Sequence, residues 1–244
     1  MSVRIPFLVT VLAVVVSAVV PAGAVPRAAE SSGSHNLLAA QDLSDWHAGA
    51  FYRDQRRDIE YHGHTVLSLD QQKPGGFVAY DLLPWCTIYG LVSYTRFDLP
   101  GTGMKTSDIS MEGGCGGWVN LLDHDLVDNL LLETKVRLQL LGQATFCDAT
   151  VGYYELPYME VYGALTLSVV CEIVGNKEYW PEAIGLFIGP VYDTLQSSEF
   201  ETYADNFGVN LGLDFYLSRR VTASLGIESY DQDQAVNLSL SARF

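Results

Sequence analysis

The chain has 244 residues, with 29 acidic against 14 basic side chains and a formal net charge of −15. That balance leaves no basic surface and excludes nucleic acid as a partner. Beyond residue 24 no apolar run is long enough to cross a membrane as a helix, yet mean hydropathy is slightly positive and Tyr, Phe and Gly are abundant.

Residues 1–24 read as a secretion signal. Arg4 is a minimal positive start, Ile5 to Val20 is a nearly continuous apolar run, and Ala22-Gly23-Ala24 fits the small-x-small cleavage pattern. Residues 25–45 are rich in Ala, Ser and Gly without an apolar period and read as a flexible periplasmic leader. From Trp46 the texture changes to strands. The first runs from Trp46 through Tyr61, its outer half made polar by Arg53-Asp54-Gln55-Arg56-Arg57-Asp58. Residues 62–76, containing Lys73-Pro74-Gly75-Gly76, read as an exposed loop.

Further strands are expected over Phe77–Leu82, Cys86–Phe97, Gly114–Leu122, Leu132–Cys147, Tyr158–Glu172, Glu182–Asp193, Asn206–Leu217 and Val221–Tyr230. Turns or loops fall at Leu83-Pro84-Trp85, Leu99–Met111, Asp123-His124-Asp125, Asp148–Pro157, Gly175–Pro181, Thr194–Asp205 and Ser218-Arg219-Arg220. A short helical turn over Leu126–Leu132 is an alternative reading there. In Asn206–Leu217, Phe207, Val209, Leu211, Leu213 and Phe215 alternate with Gly208, Asn210, Gly212, Asp214 and Tyr216.

The last segment carries the clearest pattern. Val236, Leu238, Leu240, Ala242 and Phe244 alternate with Asn237, Ser239, Ser241 and Arg243, and the sequence given ends on the aromatic ring. This stretch resembles the closing strand of bacterial outer-membrane β-barrels. The resemblance covers nearly all of residues 46–244 and is one of pattern, without a subfamily. It implies an all-β, transmembrane, antiparallel up-and-down barrel of about ten strands, closed by its N- and C-terminal strands. It also implies membrane lipid as surroundings and recognition of the C-terminal strand by the barrel-assembly machinery of a Gram-negative cell. Leu83-Pro84-Trp85 echoes Leu156-Pro157-Tyr158; were both inner turns, the count would become eight or twelve.

A bilayer offers no partners to backbone amides, so strands cross it only in a closed sheet with apolar side chains outward. A soluble secreted β-sandwich binding a ligand also alternates, but its solvated face is usually richer in charge. Trp85, Tyr158, Tyr179, Trp180 and Phe244 are expected near the inner ends, as an interfacial girdle. The polar residues expected to line the lumen are Lys135, Arg137, Gln139, Glu160, Asn210, Asp214, Glu228 and Arg243. About ten strands enclose too little space for a wide channel, so opposite charges inside are expected to pair across the lumen and plug it. A narrow ion or small-solute path lined by the same groups is the porin-like alternative.

An outer-membrane hydrolase would place Asp and His pairs at the outer rim, where only His62, His64, Asp58 and Asp108 qualify; His124 falls in a predicted inner turn. No nucleophile elbow, zinc-binding helix or phosphate loop occurs, so no catalytic residue, metal or cofactor is assigned. Ser198-Glu199-Phe200-Glu201 and Asp231-Gln232-Asp233 lack the spacing of a calcium loop. Of the four cysteines, Cys115 and Cys147 fall near one rim on neighbouring strands and could pair; otherwise Cys86, Cys115, Cys147 and Cys171 act as small apolar residues. The resulting expectation is a structural or surface-exposed, non-enzymatic barrel.

Overall fold

The computed structural model describes residues 45–61, 65–98, 109–126, 132–151, 154–173, 181–197, 200–202, 206–218, 220–231 and 233–244. Residues 1–44, which take in the expected signal and nearly all of the expected leader, lie outside these, as do residues 127–131 and 174–180, with most of the alternative helical turn and both Tyr179 and Trp180. The strands are β1 Trp46–Tyr61, β2 Thr65–Leu83, β3 Cys86–Asp98, β4 Ser110–Leu126, β5 Leu132–Val151, β6 Tyr154–Ile173, β7 Ala183–Ser197, β8 Phe200–Thr202, β9 Phe207–Ser218, β10 Val221–Tyr230 and β11 Gln234–Arg243.

Ten of them form a closed antiparallel wall, in which each long strand pairs with its neighbours in chain order. Closure is made by β1 on β11, with His47 opposite Arg243 and Arg56 opposite Gln234. Both chain ends of the wall therefore lie at one rim, here called the terminal rim. The three-residue β8 is an addition at the far rim. There β9, β10 and β11 stop at 12, 10 and 10 residues, while β5 and β6 run for 20 each. In the gap this leaves, β8 pairs with the end of β1 (Ile59 opposite Thr202) and with β7 (Gln196 opposite Glu201). About 9–11 tilted residues suffice to cross a bilayer, so the longest strands continue the wall well past it.

The alternation sets the two faces. Ile184, Leu186 and Ile188 of β7, Val209 and Leu211 of β9, and Val236, Leu238 and Leu240 of β11 are exposed on the outside. Between them, Ala183, Val191, Asp193 and Leu195 of β7 are buried inside. A soluble sandwich would bury the first set, so that reading is overturned. Among the described residues there is no helix.

Several expected loops are strand. β2 begins at Thr65, so Lys73-Pro74-Gly75-Gly76 lies within it. The β2–β3 register passes from Gln72–Arg96 to Gly75–Ser93, and the interruption falls at Pro74, which has no N–H to give. β4 starts at Ser110 and carries Asp123-His124-Asp125 in pairing with β5. β5 and β6 pair as far as Val151 and Tyr154, which places that hairpin at the far rim and the Leu83–Cys86 hairpin at the terminal rim. The echo between the two Leu-Pro-aromatic segments is thus not a shared turn type, and the strand count stays at ten.

Tyr158 is no girdle residue. It is buried inside the far half, donating from its hydroxyl to Glu112 Oε2 at 2.9 Å. Cys115 and Cys147 do not pair. Cys115 sits opposite Ala144 and is exposed on the outer face, whereas Cys147 sits opposite Glu112 and is buried inside. With Cys86 and Cys171 replaced by Ser, a membrane-permeant maleimide is expected to modify Cys115 in the folded barrel and Cys147 only after unfolding. Equal folded-state rates at the two thiols, read by mass spectrometry, would contradict this placement.

Candidate functional site

The far half of the lumen is filled by charge. On β1, alternate positions send Arg53, Gln55 and Arg57 inward, and Arg57 is 1% exposed. Arg53 reaches across to Glu160 Oε1 on β6 (3.3 Å), Asp193 Oδ2 on β7 (2.7 Å) and Glu228 Oε2 on β10 (2.8 Å). Arg57 donates to the same Glu160 oxygen at 3.1 Å and the same Asp193 oxygen at 3.0 Å. Lys73 of β2 bonds both Glu160 and Glu112, the latter at 3.1 Å.

Three cations thus meet four carboxylates, and hydroxyls and an amide supply the remaining donors. Thr95 and Tyr158 donate to Glu112, and Tyr162, Tyr230 and Asn237 donate to Glu228. Arg53 also lies over the Tyr162 ring, 5.0 Å from its centroid. Charges removed from water are tolerable only when paired and hydrogen-bonded in this way. Further toward the far rim, Leu69, Phe97 and Leu195 are buried, with Phe97 edge-on to Tyr158 at 5.5 Å.

Below this cluster a cavity of about 470 Å³ extends to the terminal rim, from Tyr162 and Glu228 down to Pro84 and Arg220 in the two rim turns. Gln139, Asn210, Asp214 and Arg137 stand in its wall, together with Glu228 and Arg243. Gln139 donates to Asn120 at 2.9 Å, and Asp214 accepts from Ser224 at 2.5 Å. Arg137 donates to Asp123 at 2.9 Å, and Lys135, buried, lies 3.5 Å from Asp123 and 3.3 Å from Asp125. Arg243 bonds Asp81 of β2 and lies 3.0 Å from His47 Nε2.

Only two of the eight candidate lumen residues, Glu160 and Glu228, join the cross-lumen cluster. Lys135 and Arg137 pair with acids on adjacent β4, and Arg243 pairs near the rim, so the expected plug of Lys135, Arg137 and Arg243 with opposite acids is corrected to local pairs. The cations that bridge the lumen are instead Arg53, Arg57 and Lys73. The signal for the first two was their even spacing, four residues apart within Arg53-Asp54-Gln55-Arg56-Arg57, which puts both on one face of a strand. His62, His64 and Asp108 lie outside the described residues. Asp58 donates its backbone N–H to Asp233 Oδ1 at 2.9 Å. Among the described residues no group of His, Cys, Asp and Glu could hold a metal ion.

The chain matches no protein-family model and no curated protein. Solved structures do resemble it. The COG4313 outer membrane channel from Pseudomonas putida F1 is similar at 10% identity with a TM-score of 0.41, covering 84% of this chain and 97% of that one. LpxR from Salmonella typhimurium gives 9% and 0.40, covering 81% and 100%. The outer membrane protease OmpT from Escherichia coli gives 9% and 0.34, covering 83% and 98%. The likeness is one of architecture and assigns no residue a role. A closed antiparallel sheet with apolar side chains outward and charges sealed within is a transmembrane β-barrel of the bacterial outer-membrane type.

Proposed function

We propose that the chain is a sealed, non-enzymatic outer-membrane barrel, a structural or surface-exposed protein that passes no solute. The observation that carries this reading is the reach of Arg53 and Arg57 from β1 to carboxylates on β6 and β7, which fills the far half of the lumen with paired charge. A permeating solute would have to displace those pairs in a water-poor interior, where each unpaired charge is costly.

In this reading residues 1–24 direct export and are removed, and residues 25–45 form a periplasmic leader. The terminal rim faces the periplasm and the longer β5–β6 wall rises on the outside. The barrel-assembly machinery engages β11, whose alternating apolar residues end at Phe244. The polar residues Arg137, Gln139, Asn210 and Asp214 then line a vestibule that is blocked at its far end rather than a path. Proteoliposomes carrying the barrel are expected to swell in arabinose or glycine no faster than protein-free vesicles. Swelling that scales with the amount of barrel would overturn the seal.

A further inference from the structure

The cavity below the charged cluster has a chemistry that the sealing role does not use. Its wall charges cancel: Asp81, Asp214 and Glu228 are matched by Arg137, Arg220 and Arg243. Much of the remaining wall is hydroxyl and amide, including Thr166, Ser168, Ser239 and Ser241, while Pro84, Trp118 and Leu141 give it apolar surface. Phe187 adds a flat apolar surface. A Cβ placed on Gly212 would lie 2.2 Å from Phe187 Cζ, and one on Gly226 3.4 Å, so the ring rests on bare backbone of β9 and β10 and forms part of the cavity wall. Beside it Asn210 is 7% exposed, and its Oδ1 is buried with no hydrogen-bond partner among the described residues. Buried acceptors in native proteins are nearly always satisfied, so this one is an uncompensated cost of the wall.

We propose that this cavity is a binding site for a neutral sugar of one or two rings, entering from the terminal rim. Charge balance disfavours an ion. Dense hydroxyl and amide groups suit a ligand that both donates and accepts along its length. The Phe187 ring suits the apolar C–H face of a pyranose. The volume lies within the range of small-molecule sites, roughly 300–1,000 Å³. The inference uses the seal only to choose the mouth of entry; a barrel that conducts yet binds sugar would overturn the seal and leave this site standing.

The test is equilibrium dialysis of the detergent-folded full-length barrel against labelled maltose, cellobiose and diacetylchitobiose, with inorganic phosphate as the charged probe. At least one neutral sugar is expected to bind with a millimolar dissociation constant, and phosphate not at all. Phe187→Leu, which keeps apolar bulk but loses the flat face, should weaken binding by about five- to tenfold. Ser239→Phe, which narrows the cavity from β11, should abolish it, with the fold of each variant checked by heat-modifiable migration. Retention of no neutral sugar, retention of phosphate instead, or sugar binding unchanged in both folded variants would each overturn the proposal.

Discussion

Replacing Arg57 by alanine is expected to destabilise the barrel by about 3–5 kcal/mol, because it strips one partner from a buried charge network. The guanidinium is 1% exposed and bonds Gln55, Glu160 and Asp193 at once. Arg53 and Lys73 still serve Glu160, but Asp193 keeps only Arg53 and Gln55, and its Oδ1 already lacks a partner among the described residues. The measurement is urea unfolding of the folded barrel in detergent, followed by tryptophan fluorescence. The cost should come from the stranded carboxylate and not from lost volume. Arg57→Met combined with Asp193→Asn is therefore expected to recover most of it. A double variant no more stable than Arg57→Ala would contradict the stranded carboxylate as the source of the cost.

The second large effect is expected at Gly189. A Cβ added there would sit 1.8 Å from the backbone oxygen of Leu165 and 2.8 Å from its carbonyl carbon. Those are strand atoms of β6, which no rotamer change can move aside. The β6–β7 register passes from Ala164–Val191 to Leu167–Ile188, leaving Gly189 and Pro190 at the point of closest approach. Gly189→Val forces the two strands apart within a closed wall, which cannot open an edge to relieve the strain. A loss of at least about 3 kcal/mol is expected, read as failure to show the folded, fast-migrating band on an unheated gel. Gly142→Ala is the control. Its added methyl would meet nothing within 4 Å and should leave folding intact.

How much of this was readable beforehand depends on what each strand faces. β9 and β11 were legible because lipid on one side and lumen on the other impose a strict two-residue period. Where β2 and the β5–β6 hairpin continue beyond the bilayer, the apolar demand on the outer face lapses. Residues 148–151, 154–157 and 65–76 then carry the texture of loops although the backbone pairs as strand. Lys73 was hidden for that reason, since Lys73-Pro74-Gly75-Gly76 looks like a turn. Its inward position follows only from the register with Arg53.

Asp193 escaped notice at the end of a predicted strand, and Glu112 between a predicted loop and the strand after it. Each is recognisable once the cations facing it are known, and nothing local announces them. Arg53 and Arg57 carried a local sign, an even spacing that puts them on one face, that the surrounding run of charge obscured. Arg137, Gln139, Asn210 and Asp214 alternate in the sequence with apolar Leu and Val, and that period is what marks them as inward. The partners of Arg137 and Gln139 carry no such mark, because pairing between β4 and β5 depends on a register that shifts between Asn120 and Leu122. Tyr158 shows the same limit. A tyrosine near a strand end reads as an interfacial anchor, and only the long extension of β5 and β6 turns it into part of the lumen filling.

The most direct test is current recording across planar bilayers with the purified barrel inserted. The wild-type protein should stay electrically silent at every voltage the membrane withstands, while a variant with Arg53, Arg57 and Lys73 all replaced by serine should conduct. Reproducible current steps from the wild-type barrel would contradict a lumen closed by those cations and their carboxylates.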